Sequence, residues 1–233
     1  LRLARQAVGD AVALRSPGTG PFALASYFIG SQEWLMGGGM VEGGLDESGE
    51  KEAALHHALG LASDALIAFG KACWDAGADI LHCGDSLASC NVISPHTFRR
   101  FSFPYLQKVF AAWKDYGIDR KLLHICGNST KVLELYAATG ADMVEIDHAV
   151  DLRVAKQRIG DQVILIGNVH TVEELLQGTP QTVTAAANRC IDHAGAGGGF
   201  MLGSGCIVPR YTPLENVQAM VRAAHSRPYP PAG

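Results

Sequence analysis

Short apolar runs alternate with amphipathic segments along most of the chain, and this alternation limits the fold more than any other feature. The runs predict six strands, at residues 21–26, 78–83, 121–126, 141–147, 162–168 and 199–204. The third, fourth and fifth strands begin about 21 residues apart, which leaves room for one helix between successive parallel strands. They are apolar without alternation, as in a sheet covered on both faces.

This pattern predicts an α/β protein whose first choice of architecture is a (β/α)₈ TIM barrel, with a doubly wound open sheet as the alternative. Polar residues follow the strand ends one by one, and no G-x-G-x-x-G segment opens a helix after a strand, so the barrel is favoured. A barrel of this type has eight strands, two more than the six that the sequence predicts. We therefore expect residues 1–233 to form a single, partial TIM-barrel domain that lacks its N-terminal strands. The start at Leu1, within a helical pattern, suggests the same truncation.

Helix signals lie between the predicted strands. Residues 51–76 form a long amphipathic pattern, and Ser94 followed by Pro95 marks another helix start. Capping-box spacing at residues 171–174 and again at 212–215 predicts two further helix starts. Residues 30–49 are rich in glycine and predict an irregular loop around one helical turn, and the proline-rich tail at 226–233 is expected to fray.

Composition excludes several classes of function. The 233 residues carry a formal charge of −4, so no basic surface suggests nucleic-acid binding. We find neither a signal peptide nor an apolar run of membrane-spanning length, so we expect a cytoplasmic protein. Six cysteines in such a chain do not indicate a disulfide framework, and Cys73 and Cys190 lie in helical patterns typical of buried thiols.

Nearly every predicted strand ends in a polar or metal-binding side chain, and in a barrel the carboxyl ends of the strands meet at one face. The residues at these ends are Ser26, Asp85, His124, Cys126, Glu145, Asp147, His148, Asn168, His170, Ser204 and Cys206. This concentration predicts a functional site.

Three of these residues are candidate zinc ligands. His124 and Cys126 are two residues apart on a strand and so point to the same side, and Gly203-Ser204-Gly205-Cys206 brings a second thiol to another strand end. Imidazole and thiolate are preferred zinc ligands, and three protein ligands with one open position are typical of catalytic zinc. The alternative is a hydrogen-bonded buried histidine with two ordinary core thiols.

The remaining candidates have less specific signals. Asp147 could close the fourth zinc position or instead orient a neighbour or cap a helix, and Glu145 competes for the same role. Asp85 could anchor substrate or cofactor, or cap a loop. We take Asp85 and Asp147 as candidate catalytic residues.

His148 and His170 are more typical of loop histidines, although His170 could face the cleft. The candidate cofactor contacts are Asp85, Asn168, His170 and Ser204.

Several motifs resemble the uroporphyrinogen decarboxylase superfamily. They are residues 78–85, 92–101 and 104–105, the LHICG segment at 123–127, Gly167-Asn168, residues 175–180, Gly203-Ser204-Gly205-Cys206 and residues 212–216. The superfamily fold is a (β/α)₈ barrel. The His-x-Cys pair with a distant Cys resembles its branch of zinc-dependent, corrinoid-linked methyltransferases, which includes methylcobalamin:coenzyme M methyltransferases. The true decarboxylases need no metal and lack this thiol trio.

The resemblance implies an enzyme of one-carbon metabolism with zinc on His124, Cys126 and Cys206. It would move a methyl group between a corrinoid (cobalamin), free or on a partner protein, and a thiol or methoxy substrate. A homodimer is compatible with it. Two alternatives stay open: a metal-free decarboxylase of a porphyrinogen-like tetrapyrrole, for which Arg210 is the one arginine near a strand end, and a non-catalytic corrinoid or tetrapyrrole binder.

Overall fold

The computed structural model describes residues 1–37 and 50–226. These residues form two compact units, one from Leu1–His124 with Ala138–Asp142 and the other from Ile125–Ala137 with Met143–Gly233. A single domain over residues 1–233 stays a prediction. Most of the predicted glycine-rich loop and nearly all of the predicted tail lie outside the described residues.

The described part of the first unit contains two strands and five helices. In chain order they are α1 (Arg2–Val8), α2 (Pro21–Ile29), α3 (Glu50–Asp75), β1 (Leu81–Gly84), α4 (Pro95–Thr97), α5 (Phe103–Asp115) and β2 (Lys121–His124). Short helical turns at Glu33–Gly37, Ser86–Ala88 and Phe98–Ser102 lie between them.

In the first unit β1 and β2 pair in parallel, with Leu81 opposite Lys121 and Gly84 opposite His124. Helices α3 and α5 pack together, as the amphipathic pattern predicts, and bury Leu59 and Trp113. The predicted N-cap at Ser94 is confirmed, because its side chain accepts a hydrogen bond from the backbone N–H of Thr97.

The predicted first strand at residues 21–26 is wrong, because these residues lie in helix α2. Pro21 occupies the first helical turn, where its missing N–H removes no helical bond. The extended segment comes slightly earlier, since Arg15 and Thr19 form parallel bridges with Ile80 and Gly84. Ser26, predicted at a strand end, instead bonds its own helix through the carbonyl of Ala23.

Up to Ser226, where the description ends, the second unit contains three strands and four helices. In chain order they are α6 (Leu133–Ala137), β3 (Met143–Glu145), α7 (Leu152–Ile159), β4 (Ile164–Val169), α8 (Pro180–Ala194), β5 (Phe200–Ser204) and α9 (Leu214–Ser226). Two short helical turns at Thr130–Val132 and Thr171–Leu176 complete it.

Strands β3, β4 and β5 also pair in parallel, in the order of the chain. The interior residues Val144 and Leu165 are fully buried, in agreement with strands covered on both faces. Polar caps begin the helices that follow: Asp151 caps α7, and Thr179 forms a reciprocal capping box with Thr182 at the start of α8. All of the predicted strands after the first are present, and each is shorter than predicted.

Helix α3 is the one described helix whose length and composition would allow it to cross a membrane. A core helix of a water-soluble protein passes the same test, and α3 buries eight of its residues against the rest of its unit. A cytoplasmic location stays a prediction.

Candidate metal centre

His124 and Cys126 lie at the carboxyl end of β2. His124 is the last residue of the strand and is 6% exposed, whereas Cys126 is half-buried. Gly127 follows with a φ of +77°, a left-handed conformation that side chains other than glycine rarely adopt. The strand ends at His124, two residues earlier than the predicted end at residue 126, and the chain turns at Gly127 directly after the thiol.

Cys206 follows the carboxyl end of β5, and its turn is fixed by close backbone contacts. The Gly205 N–H donates to the carbonyl of Val169 at 2.8 Å, and Ser204 Oγ donates to the carbonyl of Cys206 at 2.8 Å. A Cβ at Gly205 would lie 2.5 Å from the backbone nitrogen of His148, so only glycine allows this approach.

The donor atoms of His124, Cys126 and Cys206 lie within 4.8 Å of one another. The two Sγ atoms are 3.4 Å apart and form no disulfide, which would bring the sulfurs to about 2.05 Å. Two thiolates bound to one tetrahedral zinc ion at about 2.3 Å would be about 3.8 Å apart. The donor types and separations therefore fit a zinc ion.

Asp147 is nearly fully buried and has partners of its own. Its Oδ1 accepts the N–H of Ala149 at 2.9 Å and lies 3.1 Å from His148 Nδ1. It is not among the three residues whose donor atoms converge, and neither is Glu145, so a ligand role for either stays a prediction.

Asp85 is fully buried behind β1, where it caps helix α2. Its two carboxylate oxygens accept the backbone N–H groups of Phe22 at 3.2 Å and Ala23 at 2.7 Å. Burial raises the pKa of Asp85 to about 6, although the two hydrogen bonds act in the opposite direction. The structure thus supports the capping interpretation, and a catalytic or cofactor-binding role stays a prediction.

The three other candidate cofactor contacts brace the turns around the strand ends. Asn168 donates to the carbonyls of Asp147 and Val150, and Ser204 holds the Cys206 turn. His170 is the N-cap of the helical turn Thr171–Leu176: its Nδ1 accepts two backbone N–H groups, and Glu174 accepts the N–H of His170. The cap predicted at Thr171 is therefore wrong, because the acceptor is the imidazole of His170, one residue earlier.

A cleft of about 320 Å³ opens within the second unit, between α7 and α8. Its lining includes His148, Asn168, His170, Arg189, Cys190 and His193. The rings of His148 and His170 face each other across 3.6 Å between centroids. His170 therefore lines a cleft between α7 and α8, and its position at the cleft of the barrel site stays a prediction.

The sequence analysis missed His82, in the middle of β1. Its Nε2 atom is buried and has no hydrogen-bond partner among the described residues. Burial lowers the pKa of His82 to about 3, with smaller contributions from the charges of Arg15 and His124. The available signal was its position two residues before Gly84 on the same strand face.

The sequence matches the uroporphyrinogen decarboxylase (URO-D) family over residues 1–227. The chain belongs to this family. The resemblance noted from the motifs is thereby confirmed. The solved structure of a methyltransferase from Methanosarcina mazei superposes with a TM-score of 0.83 at 30% identity, over 97% of this chain and 62% of that one. The fold is accordingly of the α/β TIM-barrel type, as predicted.

Curated members of the uroporphyrinogen decarboxylase family include both methyltransferases and decarboxylases. The methylcobamide:CoM methyltransferase MtbA of Methanosarcina acetivorans is 33% identical over 210 residues, 90% of this chain and 57% of the relative. A uroporphyrinogen decarboxylase of Aromatoleum aromaticum is 29% identical over 232 aligned residues, 95% of this chain and 60% of the relative. The chain thus spans about three fifths of the length of these relatives.

Proposed function

We propose that this protein is a zinc-dependent methyltransferase that moves a methyl group between a corrinoid and a thiol or methoxy substrate. The observation that carries the proposal is the convergence of one imidazole and two thiols, His124, Cys126 and Cys206, in a member of the uroporphyrinogen decarboxylase family. A relative named for methylcobamide and CoM (coenzyme M) supports the corrinoid and a small thiol as the two substrates.

The three residues would hold the metal in complementary ways. His124 is buried at a strand end and supplies a neutral nitrogen from a fixed position, while the half-buried Cys126 and Cys206 supply sulfur. As thiolates, the two cysteines would offset the charge of Zn²⁺. Bound there with one open position, zinc would supply a Lewis acid that favours the deprotonated form of a substrate thiol or hydroxyl.

The backbone at the two strand ends keeps the thiols in place. Gly205 allows the Cys206 turn to pass close to the backbone of His148, and Ser204 fixes the carbonyl of Cys206. Ligands held in position before the metal arrives lose less conformational freedom on binding it. We therefore expect Gly205 and Ser204 to support metal affinity without contacting the metal.

Zinc analysis of the purified protein tests the proposal. We expect about one zinc per chain in the wild type and loss of zinc in Cys126→Ser and Cys206→Ser. Cys73→Ser is the control, because Cys73 is a buried thiol of α3 outside the cluster. Retention of zinc by the two site variants would contradict the ligand assignment.

Methyl transfer is then measured with free methylcobalamin against coenzyme M and a panel of other thiols and folates. We expect turnover with one of them that disappears in Cys206→Ser. Free methylcobalamin is the first test of the corrinoid substrate, and a corrinoid protein is the second. We also propose that the protein is a homodimer. Measurement of its mass in solution tests this proposal.

The decarboxylase relatives favour a second candidate, a metal-free decarboxylase of a porphyrinogen-like tetrapyrrole. This function requires neither thiol, so Cys126→Ser and Cys206→Ser would release carbon dioxide from uroporphyrinogen at the wild-type rate. Binding of a tetrapyrrole or corrinoid with no turnover of any substrate would instead favour a non-catalytic binder.

A further inference from the structure

The side chain of His82 lies on the same face of the sheet as His124. In the parallel pair of β1 and β2, His82 is opposite Leu122, and Gly84 is opposite His124. Residues two apart on a strand share a face, as do residues directly paired between neighbouring strands. His82, Gly84 and His124 therefore project from one side of the first unit's sheet.

The ring of His82 extends along the strand into the space above Gly84. A Cβ at Gly84 would lie 2.9 Å from Cε1 and 3.2 Å from Nε2 of His82. The absence of a side chain at position 84 is therefore what makes room for the imidazole. Because Gly84 is the direct partner of His124, the Nε2 end of the His82 ring reaches the level of His124 on the neighbouring strand.

This Nε2 atom is buried and has no hydrogen-bond partner in the part of the chain that the structure describes. Folded proteins satisfy most buried polar atoms, and an exception next to a candidate site requires an explanation such as a bound ligand. A neutral imidazole can make one hydrogen bond at this atom, as a donor or as an acceptor.

We propose that His82 contacts the substrate, with Nε2 hydrogen-bonded to the sulfur or oxygen atom of a small thiol or hydroxyl compound held beside His124. This inference rests on the proposed function and adds a substrate-binding residue to it. His82 does not join the metal ligands, because its ring nitrogens are not among the converging donor atoms. Its role is to hold the reacting end of the substrate.

The test measures the affinity of the zinc-loaded protein for coenzyme M by calorimetry, together with zinc content and the urea unfolding midpoint. In His82→Phe we expect about tenfold weaker binding, because one hydrogen bond is lost. Zinc content stays the same and the unfolding midpoint does not fall, since the variant removes a buried atom that had no partner. His57→Phe, at an exposed histidine of the same unit, is the control.

Two further variants separate a substrate contact from a role in folding. The amide of His82→Gln reaches the position of Nε2, so we expect it to restore most of the lost affinity. Gly84→Ala leaves His82 in the sequence but places a methyl group against its ring, so we expect weaker coenzyme M binding with zinc retained. A lower unfolding midpoint in His82→Phe without rescue by glutamine would overturn the proposal.

The outcomes also distinguish this inference from the function on which it rests. If the wild type binds neither zinc nor coenzyme M, the proposed function and the contact by His82 are both refuted. If the wild type binds both and His82→Phe binds coenzyme M equally well, only the contact by His82 is refuted. Weakened binding with full zinc content in both His82→Phe and Gly84→Ala supports the contact.

Discussion

The titration of Asp85 gives a pH dependence of stability that can be calculated from the structure. The carboxyl group is fully buried between β1 and α2, and a Cβ at Gly20 would overlap it, so no space remains around the group. Its pKa is raised from 3.8 to about 6 by this burial. The folded chain therefore holds the proton of Asp85 at pH values where the unfolded chain has released it.

The sign and size of the effect on stability follow from this difference in pKa between the folded and the unfolded chain. The stabilising contribution is fully present below about pH 3.8 and is lost as the pH rises through about 6. At 1.36 kcal/mol per pH unit over that interval, the loss is about 3 kcal/mol. Asp85→Asn does not titrate, so the free energy of unfolding of the wild type minus that of the variant should fall by about 2 kcal/mol between pH 4 and pH 7, which is most of that loss.

Urea unfolding of both proteins at several pH values, in the presence of a chelator, measures this difference. The asparagine has one acceptor oxygen for the N–H groups of Phe22 and Ala23, which adds a destabilisation that does not vary with pH. Only the change of the free-energy difference with pH therefore tests the pKa of Asp85. Asp79→Asn should give the opposite slope, because the N–H of Leu14 and the guanidinium of Arg5 lower the pKa of Asp79. A flat or rising difference for Asp85 would refute the reasoning.

Further substitutions test the packing and the turns. Gly70→Ala places a methyl group on the ring of Trp113 and should lower the free energy of unfolding by about 1–3 kcal/mol, whereas Gly60→Ala in the same helix meets no atom and should raise it by about 0.5–1 kcal/mol. His170→Ala should cost about 0.5–2 kcal/mol in urea unfolding, because two helical N–H groups lose their acceptor. Gly205→Ala pushes against the backbone 2.5 Å away and should reduce zinc affinity in a chelator competition.

The sequence predicted the later strands and helices well because their signals are local. A strand buried on both faces must be continuously apolar, and a helix start such as Ser94 supplies the acceptor for one of its own first N–H groups. The prediction was wrong for helix α2, because the acceptor for its first N–H groups is Asp85, more than sixty residues later in the chain. Without that partner in view, an apolar segment of six residues is ambiguous between strand and helix.

The extended segment before α2 was missed for a related reason. Residues 16–20 are rich in glycine, serine and proline, a composition typical of turns. Their bridges to Ile80 and Gly84 depend on backbone groups, and Gly18 has no room for a side chain against the carbonyl of His82. Such a close approach is determined by the partner strand and leaves little local trace in the sequence.

The polar residues at the strand ends divide into two groups that the sequence could not separate. Asp85, Asn168, His170 and Ser204 direct their oxygen or nitrogen atoms at nearby backbone groups, so each stabilises a turn or a helix start. The donor atoms of His124, Cys126 and Cys206 converge on one another instead. Residue type and position are similar in the two groups, and only the tertiary partner differs.

This division has a physical consequence for the site. Oxygen acceptors suit backbone N–H groups, whereas sulfur is a weak hydrogen-bond acceptor. Sulfur and imidazole together instead match the preference of zinc. The hydrogen bonds of the first group, in which Asp85 and His170 accept and Asn168 and Ser204 donate, brace the strand ends, where the two Sγ atoms lie 3.4 Å apart. Zinc affinity should therefore depend both on the three converging donors and on the residues that brace the turns, such as Ser204 and Gly205.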